Sequence, residues 1–403
     1  MNEKHQILTT VSFFHAFNDG ALAVTTILLP IFKSMFLLSY TQIGLITGGG
    51  LTITLLTELT IGRAFDTKNS RTLLLSGIFL LSISVLLLSF SQGFLTLLII
   101  MFLIKFSSGF FHPAGIGLIS RIFKKERINR AMGIQSASGN FGSFIAILTT
   151  LAIAVTFEWT TPLYLWAIIG MICVSIGFIL TKHTPKKYLI SNIIHQKQTA
   201  KEAFIEWFHI VNRLKLLIPL FAISITSYGI TLSYFPLFLD EKTALPLSII
   251  GLIMALWVGV GVITSFSYER IQSYVKRKTL LYFCYTSIGI IGLALSFTIN
   301  TSFLLILIVF LGIATFLSFP ALFSSISTST KENNEGKTFG YVFTLQLAVG
   351  TFLLFISGAF ADIFGIWIPF TILGSISIIA VILLLINKKD IHEFLGENYH
   401  TNM

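Results

Sequence analysis

About twelve apolar runs, each close to 20 residues long and separated by short polar breaks, leave this chain few ways to fold. A helix needs roughly 20 mainly apolar residues to cross the hydrocarbon layer of a bilayer. A water-soluble domain could not hide so much apolar surface. Charged residues make up only 11% of the chain, against 54% apolar residues and 39 Phe. Strands of a membrane barrel would alternate apolar and polar side chains, and these runs do not. The expected fold is therefore all-α and integral to the membrane. Spans are expected near 7–33, 41–63, 72–90, 94–118, 131–155, 161–181, 214–239, 247–268, 279–299, 302–326, 338–361 and 366–387. The start, Met1 to Ala23, has some features of a signal peptide. Asp19 and the apolar residues continuing to Phe32 instead read as a retained first helix.

An even number of spans puts both termini on one side. Of the 27 Lys and Arg, Lys33 and Lys242 fall in outer loops and Lys105 inside a helix, while the others gather on the opposite side. That asymmetry places the termini in the cytoplasm of a cell whose inner membrane holds the chain. It also accounts for the net charge of +10 without nucleic acid, since basic loops meet anionic lipid. Cys173 and Cys284 lie in apolar runs far apart, as small packing residues, with no metal site or cofactor expected.

The longest polar break, Lys182 to Arg213, divides the chain into residues 1–182 and 214–387, with a linker at 183–213 and a cytoplasmic tail at 388–403. Phe204, Ile205, Trp207, Phe208, Ile210 and Val211, with charges between them, suit a helix lying in the membrane interface. The halves repeat. Arg71-Thr-Leu-Leu returns as Lys278-Thr-Leu-Leu, Pro113-Ala as Pro320-Ala, and Arg130-Ala-Met-Gly133 as Lys337-Thr-Phe-Gly340, each 207 residues on. Leu29-Pro30-Ile-Phe returns as Phe235-Pro236-Leu-Phe after 206. Such register indicates a duplicated six-helix unit, an arrangement that places a substrate cavity between two halves.

The chemistry-bearing residues collect in the first half. His15, Asn18, Asp19 and Leu22 share one helical face, as do Lys105, Ser108, Gly109 and His112. Ionisable groups amid hydrocarbon must face water or one another. At about 1.5 Å per residue, Asp19 and Lys105 come to roughly 18 Å and 20 Å from the cytoplasmic ends of their helices, so they could meet near the midplane. His15 and His112 fall at roughly 12 Å and 9 Å, a second polar tier nearer the cytoplasm, and Glu58 lies on the second helix about 8 Å inside the membrane. Glu58 is a further titrating candidate, with Arg63 or a neighbouring loop as its expected partner. The ion pair also has a purely structural reading, in which it only ties two helices together. Gly44, Gly48 to Gly50, Gly139, Gly142, Gly251, Gly259 and Gly261 are expected at close helix contacts.

Between the second and third helices stands Gly62-Arg63-Ala-Phe-Asp66-Thr-Lys-Asn-Ser-Arg71. The glycine would let helices approach, and Asp66 would sit near the N-terminus of the next helix. This spacing resembles the loop signature of the major facilitator superfamily, which implies a cytoplasmic gate built on Gly62, Arg63, Asp66 and Arg71. The second-half copy carries Glu269 and Ser273 in place of Gly62 and Asp66, so gating is expected to be asymmetric. His15, Asn18 and Asp19, together with Phe111-His112-Pro113, look like the fosmidomycin-resistance branch of that superfamily. The branch implies proton-driven export of small molecules, with the embedded acidic and basic residues on the pathway; the chain is separately expected to act as a monomer. The wider family often has Arg where Lys105 stands. The Gly-Pro step it associates with antiporters is missing after Gly142.

Other classes find little support. The nearest approach to a phosphate loop, Gly336-Lys337-Thr338, has Lys331 in the place of its first glycine and no strand before it. No His-Glu-x-x-His or Gly-x-Ser-x-Gly appears, so no enzyme is expected. Import of an anionic metabolite or siderophore, or a receptor that does not transport, are the competing readings. Lys105 with two histidines suits an anionic substrate, and the many Phe suit an apolar one.

Overall fold

A computed structural model describes residues 3–123, 125–189, 205, 207–209, 211–212, 217–329 and 335–387. Among them no strand occurs, and twelve helices are long and apolar enough to cross a membrane. They are Glu3–Phe36, Tyr40–Gly62, Ser70–Leu88, Phe94–Ile122, Arg130–Thr156, Thr161–Leu180, Ile218–Lys242, Leu247–Phe266, Arg277–Phe297, Thr301–Ser325, Thr344–Phe364 and Ile368–Ile386. The expected ends lie within four residues of these, except the start of the eleventh span, which differs by six. The reason is that lipid cannot hydrogen-bond the backbone, so each apolar run must satisfy its own. In the break between the sixth and seventh spans, Ile205, Trp207, Phe208 and Val211 are helical. Phe204 and Ile210 lie outside the described residues.

Local chemistry sets the ends and breaks. Ser39 and Gln42 open the second helix with a reciprocal cap: Gln42 N donates to Ser39 Oγ at 3.1 Å and Ser39 N to Gln42 Oε1 at 3.0 Å. Asn69 caps the third, accepting from Arg71 N at 3.0 Å. The fourth span is two helices, Phe94–Ser108 and Phe111–Ile122. Pro113 explains the break, because it has no N–H for Gly109 O and its ring crowds that carbonyl. Pro30 likewise follows a break in the first span at Leu28. Their repeats, Pro236 and Pro320, sit inside unbroken helices. The carbonyl that Pro320 leaves without its usual donor, Phe316 O, accepts from Ser265 Oγ at 3.2 Å.

Two compact units are present, one of Met1–His195 with Leu239–Ala255, the other of Gln196–Phe238 with Leu256–Met403. In the first, the first and fifth helices approach until a Cβ on Gly142 would lie 1.9 Å from Ala16 O. A Cβ on Gly20 would meet the Trp166 ring at 2.1 Å. At one end of this unit Tyr40 donates to Glu241, Lys33 lies 4.7 Å over the Tyr40 ring, and Glu241 pairs with Lys242 at 2.9 Å.

The second unit is joined by neutral hydroxyls. Ser224 Oγ meets Tyr285 Oη at 2.7 Å and Ser318 Oγ at 2.8 Å, and Ser227 Oγ meets Thr315 Oγ1 at 2.7 Å. Its ninth and twelfth helices touch through Gly292 and Gly374, where a Cβ on Gly374 would lie 2.7 Å from Leu293 N. Cys173 and Cys284 are buried free thiols, as packing residues should be.

Candidate functional site

The polar groups of the first unit assemble where the first, second, fourth and fifth helices meet. His15, Asn18 and Asp19 occupy one face of the first helix, and His15 and Asn18 are buried. The four-residue spacing brings His15 Nε2 to 3.0 Å from Asp19 Oδ2. Asn18 Nδ2 donates to the other oxygen, Oδ1, at 3.1 Å. Both carboxylate oxygens therefore have a partner within the same helix.

This differs from the expected meeting of Asp19 with Lys105. Among the described residues no hydrogen bond or ion pair joins those two, although Asp19 acts electrostatically on Lys105. The lysine stem lies across Gly50 of the second helix, where a Cβ would meet Lys105 Cγ at 2.9 Å. A partner one turn away on the same helix is in place without any chain excursion, and it takes the carboxylate first.

His112 follows the break in the fourth span. Its Nδ1 lies 3.3 Å from Glu58 Oε1. Glu58 thus pairs with a histidine from its own depth, and the side chain of Arg63, an expected partner, lies outside the described residues. The nearly equal depths estimated for Glu58 and His112 carried that signal. The two histidines also meet, with ring centroids 5.5 Å apart and edge to face, while Phe111 stacks on His15 at 4.7 Å.

Two residues on the fifth helix complete the site. Buried Gln135 offers His15 Nδ1 both its side-chain Nε2, at 2.6 Å, and its backbone oxygen, at 2.8 Å. One ring nitrogen cannot use both at once. Neutral His15 with its proton on Nε2 accepts from Gln135 Nε2, whereas a fully protonated ring donates to Gln135 O. Gly139 supplies the space, since a Cβ there would fall 2.6 Å from Asp19 Oδ2 and 2.7 Å from His15 Nε2. An uncharged Gln in a polar stretch gave no sequence signal.

The line Glu58, His112, His15, Asp19 can hold and hand on protons, because each member is ionisable and neighbours the next. Ligand atoms of His15, Asp19 and His112 lie within 4.8 Å of one another, a spacing a cation could also bridge. The positive charge of Lys105 opposes such an ion.

The gate residues are placed differently from expectation. The second helix continues as far as Thr67, so Gly62, Arg63 and Asp66 are helical and not in a loop. No breaker intervenes before Lys68, and Asn69 rather than an aspartate caps the third helix. A Cβ on Gly62 would meet no atom within 4 Å, so this glycine does not serve a close helix contact. The side chains of Arg63 and Asp66 lie outside the described residues. Arg71 ties the third helix to the sixth, donating through Nε to Thr181 Oγ1 at 2.8 Å and through Nη2 to Phe178 O at 3.0 Å. Arg121, not anticipated, donates to Phe65 O at 3.0 Å and lies 3.5 Å over the Phe65 ring, joining the fourth helix to the second.

Comparison with known proteins agrees with this architecture. The family model described as Major Facilitator Superfamily matches residues 8–353. An uncharacterized MFS-type transporter, YfnC of Bacillus subtilis (strain 168), is 27% identical over 151 residues, a match spanning 38% of this chain and 37% of that protein. A bacterial homolog of the human lysosomal transporter Spinster, inward-facing and unoccupied, superposes with a TM-score of 0.74 at 15% identity, over 96% of this chain and 95% of that one. A POT family transporter in complex with 5-aminolevulinic acid gives 0.77 at 14% identity, over 95% and 96%.

Proposed function

The chain belongs to the Major Facilitator Superfamily, and from that premise we propose that it exports a small molecule across the cytoplasmic membrane in exchange for protons. A secondary transporter of this type moves its substrate by exposing one site to each side in turn. The termini and residues 183–213 face the cytoplasm, as the basic residues require. The chain works as a monomer.

The observation that carries the proton reading is Asp19, held inside a span by His15 on one oxygen and Asn18 on the other. A charged residue at the centre of a span costs about 3 kcal/mol, so an ionisable line kept there has a task beyond packing. A proton reaching Asp19 removes its negative charge and loosens its hold on His15. It also leaves Lys105 without the carboxylate that acts on it. Exchange requires proton and substrate to take turns at this site, so a substrate group held near ionised Asp19 leaves as the proton arrives. An anionic group that takes the freed Lys105 instead travels with the proton, as in import. Glu58 and His112 form the entry to this line from the cytoplasmic tier. The resemblance of these motifs to the fosmidomycin-resistance branch supports export as the direction.

The competing reading is proton-coupled import of an anionic metabolite or a siderophore, favoured by the same Lys105 beside two histidines. A deletion strain separates them: lost uptake means import, and gained drug sensitivity means export. Substrate counterflow in liposomes separates either from a receptor that does not transport.

The decisive variant is Asp19→Asn in liposomes. Accumulation driven by a pH difference should vanish, while exchange of substrate down its own gradient stays measurable. A substrate gradient built by Asp19→Asn from a pH difference alone would remove Asp19 from the coupling role.

A further inference from the structure

The third and sixth helices leave between them a recess of about 600 Å³ on the first unit. On the sixth helix its wall includes Tyr164, Ala167, Met171 and Ile179, a stripe spaced for one helical face. Ser82 and Leu86 line it from the third helix. The recess forms because the opposite edge of the sixth helix is drawn inward. A Cβ on Gly170 would meet Ser82 Oγ at 2.1 Å, and one on Gly177 would meet Phe14 Cζ at 2.3 Å. Its serines turn their protons to their own helices, Ser82 Oγ to Ile78 O at 2.7 Å and Ser175 Oγ to Met171 O at 2.9 Å. What remains for an occupant is hydrocarbon wall.

One end of the recess is basic. The Arg71 guanidinium lies 4.7 Å over the Phe178 ring, and Lys182 and His183 follow, both exposed. The other end carries Tyr164, an amphipathic ring of the kind that sits at a membrane interface. From Tyr164 to Ile179 the stripe runs about 22 Å at 1.5 Å per residue. One leaflet of hydrocarbon is about 15 Å deep, half the thickness of the core.

We propose that this recess holds an acyl chain of an acidic phospholipid, taken from the leaflet on the Arg71 side, with the lipid phosphate against Arg71, Lys182 and His183. Shape and charge both point to this occupant. The recess is apolar and open to the outside along the sixth helix, at membrane depth, where lipid is the medium. Its length lets a chain entering at the basic end run the full leaflet. Lipid tails are as apolar as the wall, so tail burial alone gives no preference for one lipid over another. Selectivity therefore rests on the headgroup, and each Lys or Arg near the surface contributes roughly a five-fold preference for an anionic lipid. The assignment is independent of the transport reading above.

The test uses the purified full-length chain. Offered equal amounts of phosphatidylglycerol and phosphatidylcholine in detergent, and weighed by native mass spectrometry, it should retain the former in at least roughly five-fold excess. Ser175→Trp, which fills the recess within the leaflet on the Arg71 side, should lose that excess, and Lys182→Gln combined with His183→Gln, where only exposed side chains change, should cut it roughly five-fold. A phosphatidylglycerol with a photoreactive group in its acyl chain should label the sixth helix between Tyr164 and Ile179 in the unaltered protein, a readout that needs no variant to fold. Equal retention of the two lipids, or label spread evenly over all spans, overturns the proposal. So does a Ser175→Trp protein that keeps its lipid preference, because the recess would then not be where the lipid is held.

Discussion

A methyl group on Gly139 would fall 2.6 Å from Asp19 Oδ2 and 2.7 Å from His15 Nε2, both ends of side chains that can move aside. A methyl group on Gly142, one turn further along, would fall 1.9 Å from Ala16 O, which is backbone. The two glycines thus serve different ends, one making room for chemistry and the other letting two helices touch. Gly139→Ala should leave the melting temperature within a few degrees while reducing coupled transport at least about tenfold, because it displaces the His15–Asp19 pair. Gly142→Ala should destabilise the whole unit by about 3 kcal/mol or more, the upper range for overpacking, since the first and fifth helices must separate. Thermal unfolding and liposome transport on both variants check the pair of statements. Equal loss of stability in the two would mean that Gly139 is also a packing glycine.

Among the elements, the fourth span shows how a proline at the same place in a repeat can have two outcomes. Pro113 divides the span into two helices, with Lys105 before the break and His112 after it. Pro320 sits in a continuous helix whose Phe316 carbonyl takes the Ser265 hydroxyl. Ser265 stands 207 residues after Glu58, so the first half spends this position on the partner of His112 and the second half on repairing its backbone. Pro113→Ala restores an N–H for Gly109 O and favours a continuous helix, which re-aims His112 relative to Lys105. Transport should drop at least about tenfold with a folded yield equal to the parent. Pro320→Ala should stay within about twofold, because the backbone there is already satisfied. Transport rates of the two variants, normalised to folded protein, decide this; equal effects would show that the break has no bearing on the site.

For the molecule as a whole, the testable quantity is orientation. Lys182 and Lys242 are both exposed, and the proposed topology has them on opposite sides of the membrane. Cys173 and Cys284 are buried, so a new surface cysteine can be read against a low background. An impermeant thiol reagent applied to intact cells should label Lys242→Cys and miss Lys182→Cys. The reverse pattern would invert the proposed topology.

Span number, span limits and the position of the ionisable residues were legible in the sequence, because each depends only on near neighbours along the chain. Twenty apolar residues must become a helix in lipid wherever they occur, and Pro113 must disturb its own helix. The limits of the second helix were less legible, since Gly62 looked like its end when the stop lies at Lys68 and Asn69. Partner choice was legible only in part. The four-residue spacing of His15 and Asp19 is local to one helix, whereas tertiary structure laid Lys105 across Gly50 and brought Gln135 to His15. Gln135 entered the site only because Gly142 lets the fifth helix lie against the first. Sequence determines how deep a residue sits in its span; which way it faces, and what it meets there, depends on how close the neighbouring helices can come.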